Sequence, residues 1–185
     1  MKIIEKVIEK VIEKTIETIY QGKVENLISM KEFCSKTDTR DVGNNLIKNK
    51  LNLTFLKFIH KGKILLVSDR CIKNSISWDD LNERKLVFGN KIIEIDGIKY
   101  KIRLLTSNEW DNLIVKYTPE DRDSHWKNIW TWCQNIYSIY DLKNYYSYVL
   151  TNRVLRGGNA VSYFVSTTSS IVYASSGWRP ILEVL

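Results

Sequence analysis

Residues 103–110 read RLLTSNEW, and residues 126–137 read WKNIWTWCQNIY. In the first stretch Thr106 and Glu109 stand at T-x-x-E spacing. A hydroxyl and a carboxylate so placed each satisfy a backbone group that a helix start leaves open. The spacing predicts a helix beginning there, with Trp110, Leu113 and Ile114 on one face. The second stretch places Trp126, Trp130 and Trp132 within seven residues, a quantity of aromatic surface that belongs in a packed scaffold. Downstream the chain reads RVLRGG (153–158) and closes with GWRPILEVL (177–185).

Working back from that stretch, the texture is that of strands. LNLTFLKFIH (51–60) alternates apolar and polar residues, and KILLVSD (63–69) has the pattern of a short buried strand, so a hairpin turn is predicted around Lys61-Gly62-Lys63. KIIEIDGIKYKI (91–102) is a second hairpin, with Asp96-Gly97 as the two-residue turn. A helix is expected to start near Ser77, with Asp79 and Asp80 in its first turn, and to end by Gly89. His60, at the end of an apolar strand, is expected to be structural or exposed.

Residues 2–20, KIIEKVIEKVIEKTIETIY, repeat with a period of four: Ile4, Ile8, Ile12 and Ile16 form one row and Glu5, Glu9, Glu13 and Glu17 another. An Ile-rich amphipathic helix over 1–22 is the expectation, with Gly22 ending it or turning the chain. Three arrangements fit it: a trimeric coiled coil through residues 3–19, a helix docked on its own domain, or a β-strand arm, since Ile, Val and Thr suit strands. The fold class is therefore expected to be α+β, with a helix at 1–22 and a single domain over 25–185.

The 185 residues carry a formal charge of +7, with 44% hydrophobic and 26% charged side chains, the balance of a globular protein. Residues 1–101 hold 20 basic and 14 acidic side chains, interleaved rather than clustered. That pattern speaks against a nucleic-acid stripe. No apolar run suits a bilayer span, and no secretory signal is expected. Cys34, Cys71 and Cys133 form no CxxC or metal-ligand spacing, so no disulfide framework, metal or cofactor is expected. Glu120, Asp121 and Asp123 offer carboxylates in one loop, but they fit no EF-hand, and Lys116, Arg122 and Lys127 dilute their charge; a solvated loop is the reading. His125 is expected as a structural neighbour of Trp126.

In this order the motifs resemble the sulfatase-modifying-factor branch of the C-type lectin fold, which includes formylglycine-generating enzyme. RLLTSNEWD is similar to an RLPTEAEWE-like helix start and KNIWTWCQN (127–135) to a GNVWEWCQD-like stretch. RVLRGGN (153–159) is similar to RVLRGGSW, and Gly177-Trp178-Arg179 to a closing GFR. The resemblance covers residues 103–185 and implies a C-type-lectin-like domain. It departs where the enzymes carry their redox-active cysteine pair: residues 159–176 contain no cysteine, and 157–178 supply no charged group to activate a thiol. Oxidase activity is therefore not expected.

The chain resembles more closely the variable proteins of diversity-generating retroelements and related phage receptor-binding proteins, which vary the segment between RGG and the closing GFR/GWR. That segment is here NAVSYFVSTTSSIVYASS (159–176). Lys, Glu, Gln, Met and Trp make up 41 of the 185 residues and none of these 18, and all 18 lie within the set that adenine mutagenesis of AAC codons reaches. A pair of Ser/Thr/Val-rich strands would have the same bias.

The resemblance implies a non-enzymatic receptor-binding protein, a phage or prophage tail-tip adhesin found in the virion or in host cytoplasm during assembly. Its ligand would be a cell-surface protein or glycan. Its contacts would come from Ser162, Tyr163, Phe164, Ser166, Thr167, Thr168, Ser169, Ser170 and Tyr173. Residues 166–170 are expected to form an exposed turn, and Val161, Val165, Ile171 and Val172 to face inward. Trp110, Trp126, Trp130, Trp132 and Trp178 are expected in the scaffold, with Arg153, Arg156 and Arg179 tying loops down. A structural virion protein and an oxidative enzyme are the alternatives.

Overall fold

The computed structural model describes residues 18–118, 120, 125–136 and 152–185. They are mostly β, with a few short helices. A first sheet has the strand order β1 (Ile19–Val24), β3 (Phe55–His60), β4 (Lys63–Ser68), β12 (Ile181–Val184), β7 (Ile98–Arg103), β6 (Phe88–Ile95). A second runs β10 (Phe164–Thr168), β9 (Asn152–Gly157), β8 (Trp130–Ile136), β11 (Ser176–Trp178), β5 (Lys73–Asn74), β2 (Asn44–Asn45). Neighbouring strands are antiparallel except β8 and β11. Helices α1 (Met30–Thr37) and α2 (Trp78–Glu83) are short. The third, α3 (Ser107–Glu109), runs into a π-helical turn over Trp110–Val115.

Alternation in the strands sorts side chains onto the two faces of the first sheet. Phe55, Leu66, Ile102 and Leu182 pack with Trp132, Leu155 and Trp178 of the second sheet and with α1 and α2. Leu56, Phe58, Leu65, Val67 and Ile181 face the other way, onto Trp110, Leu113 and Ile114. Both faces are buried, which is why residues 55–58 are apolar on either side of Lys57.

Local signals placed the turns and caps. Lys61-Gly62 (φ 50°, 74°) and Asp96-Gly97 (φ 50°, 79°) join their hairpins with two left-handed residues, as the right-handed strand twist favours. The Thr106 hydroxyl accepts from Glu109 N at 3.1 Å, and a Glu109 carboxylate oxygen accepts from Thr106 N at 2.9 Å. Ser77 and Asp80 make the same reciprocal box at α2. Among the described residues no helix is long and apolar enough to cross a membrane.

Two expectations are corrected here and a third is met. The helices are too short for the α+β balance expected. The helix at Ser77 ends before Gly89, as expected: it stops at Glu83, because Lys85 turns left-handed (φ 63°) and Phe88 already belongs to β6. The last residues of the expected 1–22 helix are extended: Ile19–Val24 is strand β1, Ile19 pairs with Ile59, and Gly22 sits at φ 97°. Antiparallel pairing with β3 wins there over the helical repeat. Residues 1–17, and with them most of the proposed trimer seam, lie outside the described residues.

Arg103 ties the sheet to α3. Its guanidinium donates to both Glu109 oxygens at 2.8 Å and to Glu183 at 3.0 Å, and Lys63 reaches Glu183 at 2.6 Å. Burial alone would raise both carboxyls. Around Glu109, hydrogen bonds and charge from Arg103 outweigh it; around Glu183, those from Lys63 and Arg103 do, so both titrate below the usual 4.5. Depressed carboxyls bind fewer protons folded than unfolded, so their stabilisation is full above pH 4.5 and is lost as pH falls through their folded pKa values. Urea midpoints measured from pH 6 to pH 3 should fall, and Arg103→Gln should flatten that decline while lowering the midpoint at pH 6.

Candidate functional site

The 159–176 segment begins where two glycines bring β9 close to tryptophan rings. Gly157 lies at φ 88°, and a Cβ there would meet Trp126 O at 3.2 Å and Trp110 Cζ2 at 3.3 Å. Gly158 lies at φ 74°, and a Cβ there would enter the Trp130 indole at 2.5–2.8 Å. Only glycine fits both the left-handed backbone and the approach.

From there the chain is held mainly by its backbone. Trp110 Nε1 donates to Val161 O at 2.7 Å, and Gly157 N to Tyr163 O at 3.1 Å. β10 pairs with β9 from Phe164↔Arg156 to Thr168↔Asn152. Asp79 N donates to Ser169 O at 3.2 Å, and the Ser169 hydroxyl to Asp79 at 3.1 Å. On the return, Asn74 Nδ2 donates to Ala174 O at 2.7 Å and Trp130 N to Ser175 O at 2.6 Å. Gly157 and Ser176, at the two ends, both pair with Trp130, one on each side of β8.

Most of the side chains are left outward. Tyr163, Phe164, Val172 and Tyr173 are each about half exposed, between 49% and 54%. Ser162 and Ser170 are exposed, while Ser166, Thr167, Thr168 and Ser169 are half-buried. The Tyr163 ring tilts on Trp130 with centroids 5.7 Å apart, and Arg156 lies 6.0 Å from the Phe164 ring centre. Val161 and Val165 pack against the two cores, as expected of inward residues.

Two details differ from the expected layout. Ser166, Thr167 and Thr168 belong to β10, because β9 pairs with them, so the turn is confined to Ser169-Ser170. Val172 is exposed rather than buried, since the backbone anchors on its flanks turn it outward.

Beneath the surface, Trp110, Trp132 and Trp178 are fully buried, whereas Trp126 and Trp130 are half-buried. Arg156 is buried, donates to Ser107 Oγ at 3.2 Å and forms an ion pair with Asp111. Arg179, wholly buried, lies 5.3 Å from the Trp110 ring centre and donates to His125 O at 2.9 Å. Arg153 covers the Trp78 ring at 4.2 Å.

Asn74 and Asp79 are anchors that sequence reasoning missed. They lie 100 and 90 residues from the backbone and side-chain groups they hold, and nothing local marks them.

All three cysteines are free and buried. Burial pushes the Cys133 thiol up to about 12 and raises Cys71 despite the nearby Arg179. Both are therefore protonated, unreactive thiols at neutral pH. Among the described residues no group of three or more His, Cys, Asp and Glu side chains converges as a metal site. Of the acidic loop, Glu120 is exposed, and Asp121 and Asp123 lie outside the described residues.

The sequence matches no family model and no curated protein. Among solved structures the chain is similar to Treponema denticola variable protein 1, at 12% identity over 91% of this chain and 99% of that one, with a TM-score of 0.43.

Proposed function

We propose that the chain is a non-enzymatic ligand-binding protein of C-type-lectin-like type that presents residues 159–176 to a cell-surface protein or glycan. One observation carries this reading: the segment is gripped largely through its own backbone, by Trp110, Asn74, Asp79 and Trp130, while its aromatic side chains face outward. Side chains that do not hold the fold are free to be chosen for a partner. Tyr and Phe give broad contact with few rotamers to freeze, and Ser and Thr give adaptable hydrogen bonding, the mixture that paratopes use. In this reading the chain works at a phage or prophage tail tip, a placement that rests on the sequence resemblance.

A library that randomises Ser162, Tyr163, Phe164, Ser170, Val172 and Tyr173 together tests the reading without a known ligand. Most members should melt cooperatively near the parent temperature, because exposed positions typically change stability by less than about 0.5 kcal/mol each. A library that is mostly unfolded would overturn the display role. Once a glycan array or a cell-surface protein panel yields a ligand, Tyr163→Ala and Tyr173→Ala should each weaken binding about tenfold or more at nearly unchanged melting temperature. Unchanged affinity in both variants would place recognition elsewhere.

A further inference from the structure

On the α3 side of the first sheet, with none of residues 159–176 in its lining, a cavity of about 220 Å³ opens between the β3–β4 turn and α3, with Leu65 in its wall. His60, Lys61, Lys63, Arg103, Asn108 and Glu109 line it. We propose that it is a binding site for a small oxyanion: the phosphate, sulfate or carboxylate group of a ligand.

The charge arithmetic favours an anion. Glu109 and Glu183 are already engaged by Arg103, whose Nε and both terminal nitrogens are spent on them, and by Lys63. Lys61 is the cation in excess, and Lys101 stands opposite Glu183 across the β7–β12 pair. The ion-paired wall is fixed on three strands and a capped helix, so binding would not have to order it.

Donors remain for an incoming oxygen. Lys61 Nζ has no protein partner among the described residues, and Lys63 spends one of its three N–H groups on Glu183. Asn108 accepts from Asn112 through Oδ1 at 3.2 Å and through its backbone carbonyl at 2.9 Å, which leaves its Nδ2 for the cavity. His60, 7% exposed, is fixed through Nδ1 to the Thr18 hydroxyl at 2.7 Å, leaving Nε2. The volume equals about seven liquid waters, enough for a tetrahedral oxyanion and part of its hydration.

Proton uptake is linked to this site. Burial lowers the His60 pKa, Glu109 works against that, and Lys61 and Arg103 reinforce it. Lys63 stands opposite His60 in the strand register, and the Thr18 hydroxyl contacts the ring. An anion beside the ring favours the imidazolium, so binding should raise the His60 pKa, and affinity should rise as pH falls through the His60 transition.

The test is an NMR titration of the two histidines in the full chain, in inorganic sulfate against chloride at matched ionic strength. Sulfate should raise the His60 pKa by about half a unit or more and saturate, leaving His125 unmoved. Lys61→Asn, which keeps a residue tolerant of the left-handed turn, should weaken sulfate binding about fivefold with an unchanged melt in chloride. Equal shifts at both histidines, no shift at His60, or an unaltered response in Lys61→Asn would each overturn the site. Parallel titrations with methyl phosphate and acetate should show the same saturable response, and their ranking names the preferred group; silence from sulfate, methyl phosphate and acetate alike sinks the proposal.

Discussion

Trp110→Ala should lower stability by about 3–5 kcal/mol, the range for emptying a buried aromatic site, and should loosen the recognition surface with it. The indole is fully buried in the core between α3 and the first sheet. Its Nε1 holds Val161 O, its ring edge receives Gly157, and its face carries the buried Arg179. Removing it leaves a cavity, an unsatisfied carbonyl and a guanidinium without its aromatic cover. Trp110→Phe separates these effects: it keeps most of the packing and loses the hydrogen bond, at about 0.5–1.5 kcal/mol. Urea unfolding followed by far-UV circular dichroism gives both numbers. A loss below about 1 kcal/mol for the alanine variant would show that Trp110 is not the keystone of this core.

Gly158→Ala should cost about 2–5 kcal/mol, the sum of two separable penalties. A side chain at φ 74° pays about 1–2 kcal/mol for the left-handed conformation. The new methyl would also lie 2.5 Å from the nearest atom of the Trp130 indole, and displacing that ring adds about 1–3 kcal/mol. Gly62→Ala is the control, because Gly62 has the same φ of 74° with nothing within 4 Å of its would-be Cβ. The difference between the two variants measures the contact. Since Trp130 also supports Tyr163, Gly158→Ala should weaken ligand binding while Gly62→Ala leaves it unchanged. Equal losses in the two variants would mean that the indole moves aside without cost.

What was legible in the sequence was local. Thr106 with Glu109, Lys61-Gly62 and Asp96-Gly97 each set their geometry within four residues, and each forms as its spacing predicts. The inward set Trp110, Leu113 and Ile114 follows from helical periodicity and is fully buried. What was not legible depended on partners far along the chain. Residues 19–24 follow a repeat compatible with helix or strand, and pairing with β3 makes them a strand. Ser166–Thr168 look like a turn by composition, and β9 makes them a strand. Of the 159–176 surface, the residue types were readable. Its fastening to Asn74 and Asp79, and the cavity beside His60, arise only when β5, α2 and the β3–β4 turn are brought into place.

The pairing of Gly157 and Ser176 with opposite sides of Trp130 gives the segment a fixed gauge. Its ends are about 10 Å apart, twice the usual inter-strand spacing, whatever lies between them. Closing a longer excursion over the same span costs little, about 0.6 kcal/mol for each doubling of length. The frame therefore doubles as a grafting cradle: foreign peptides spliced between Ile171 and Val172 would inherit both clamps, and the scaffold would carry loops of other lengths and sequences as readily as its own.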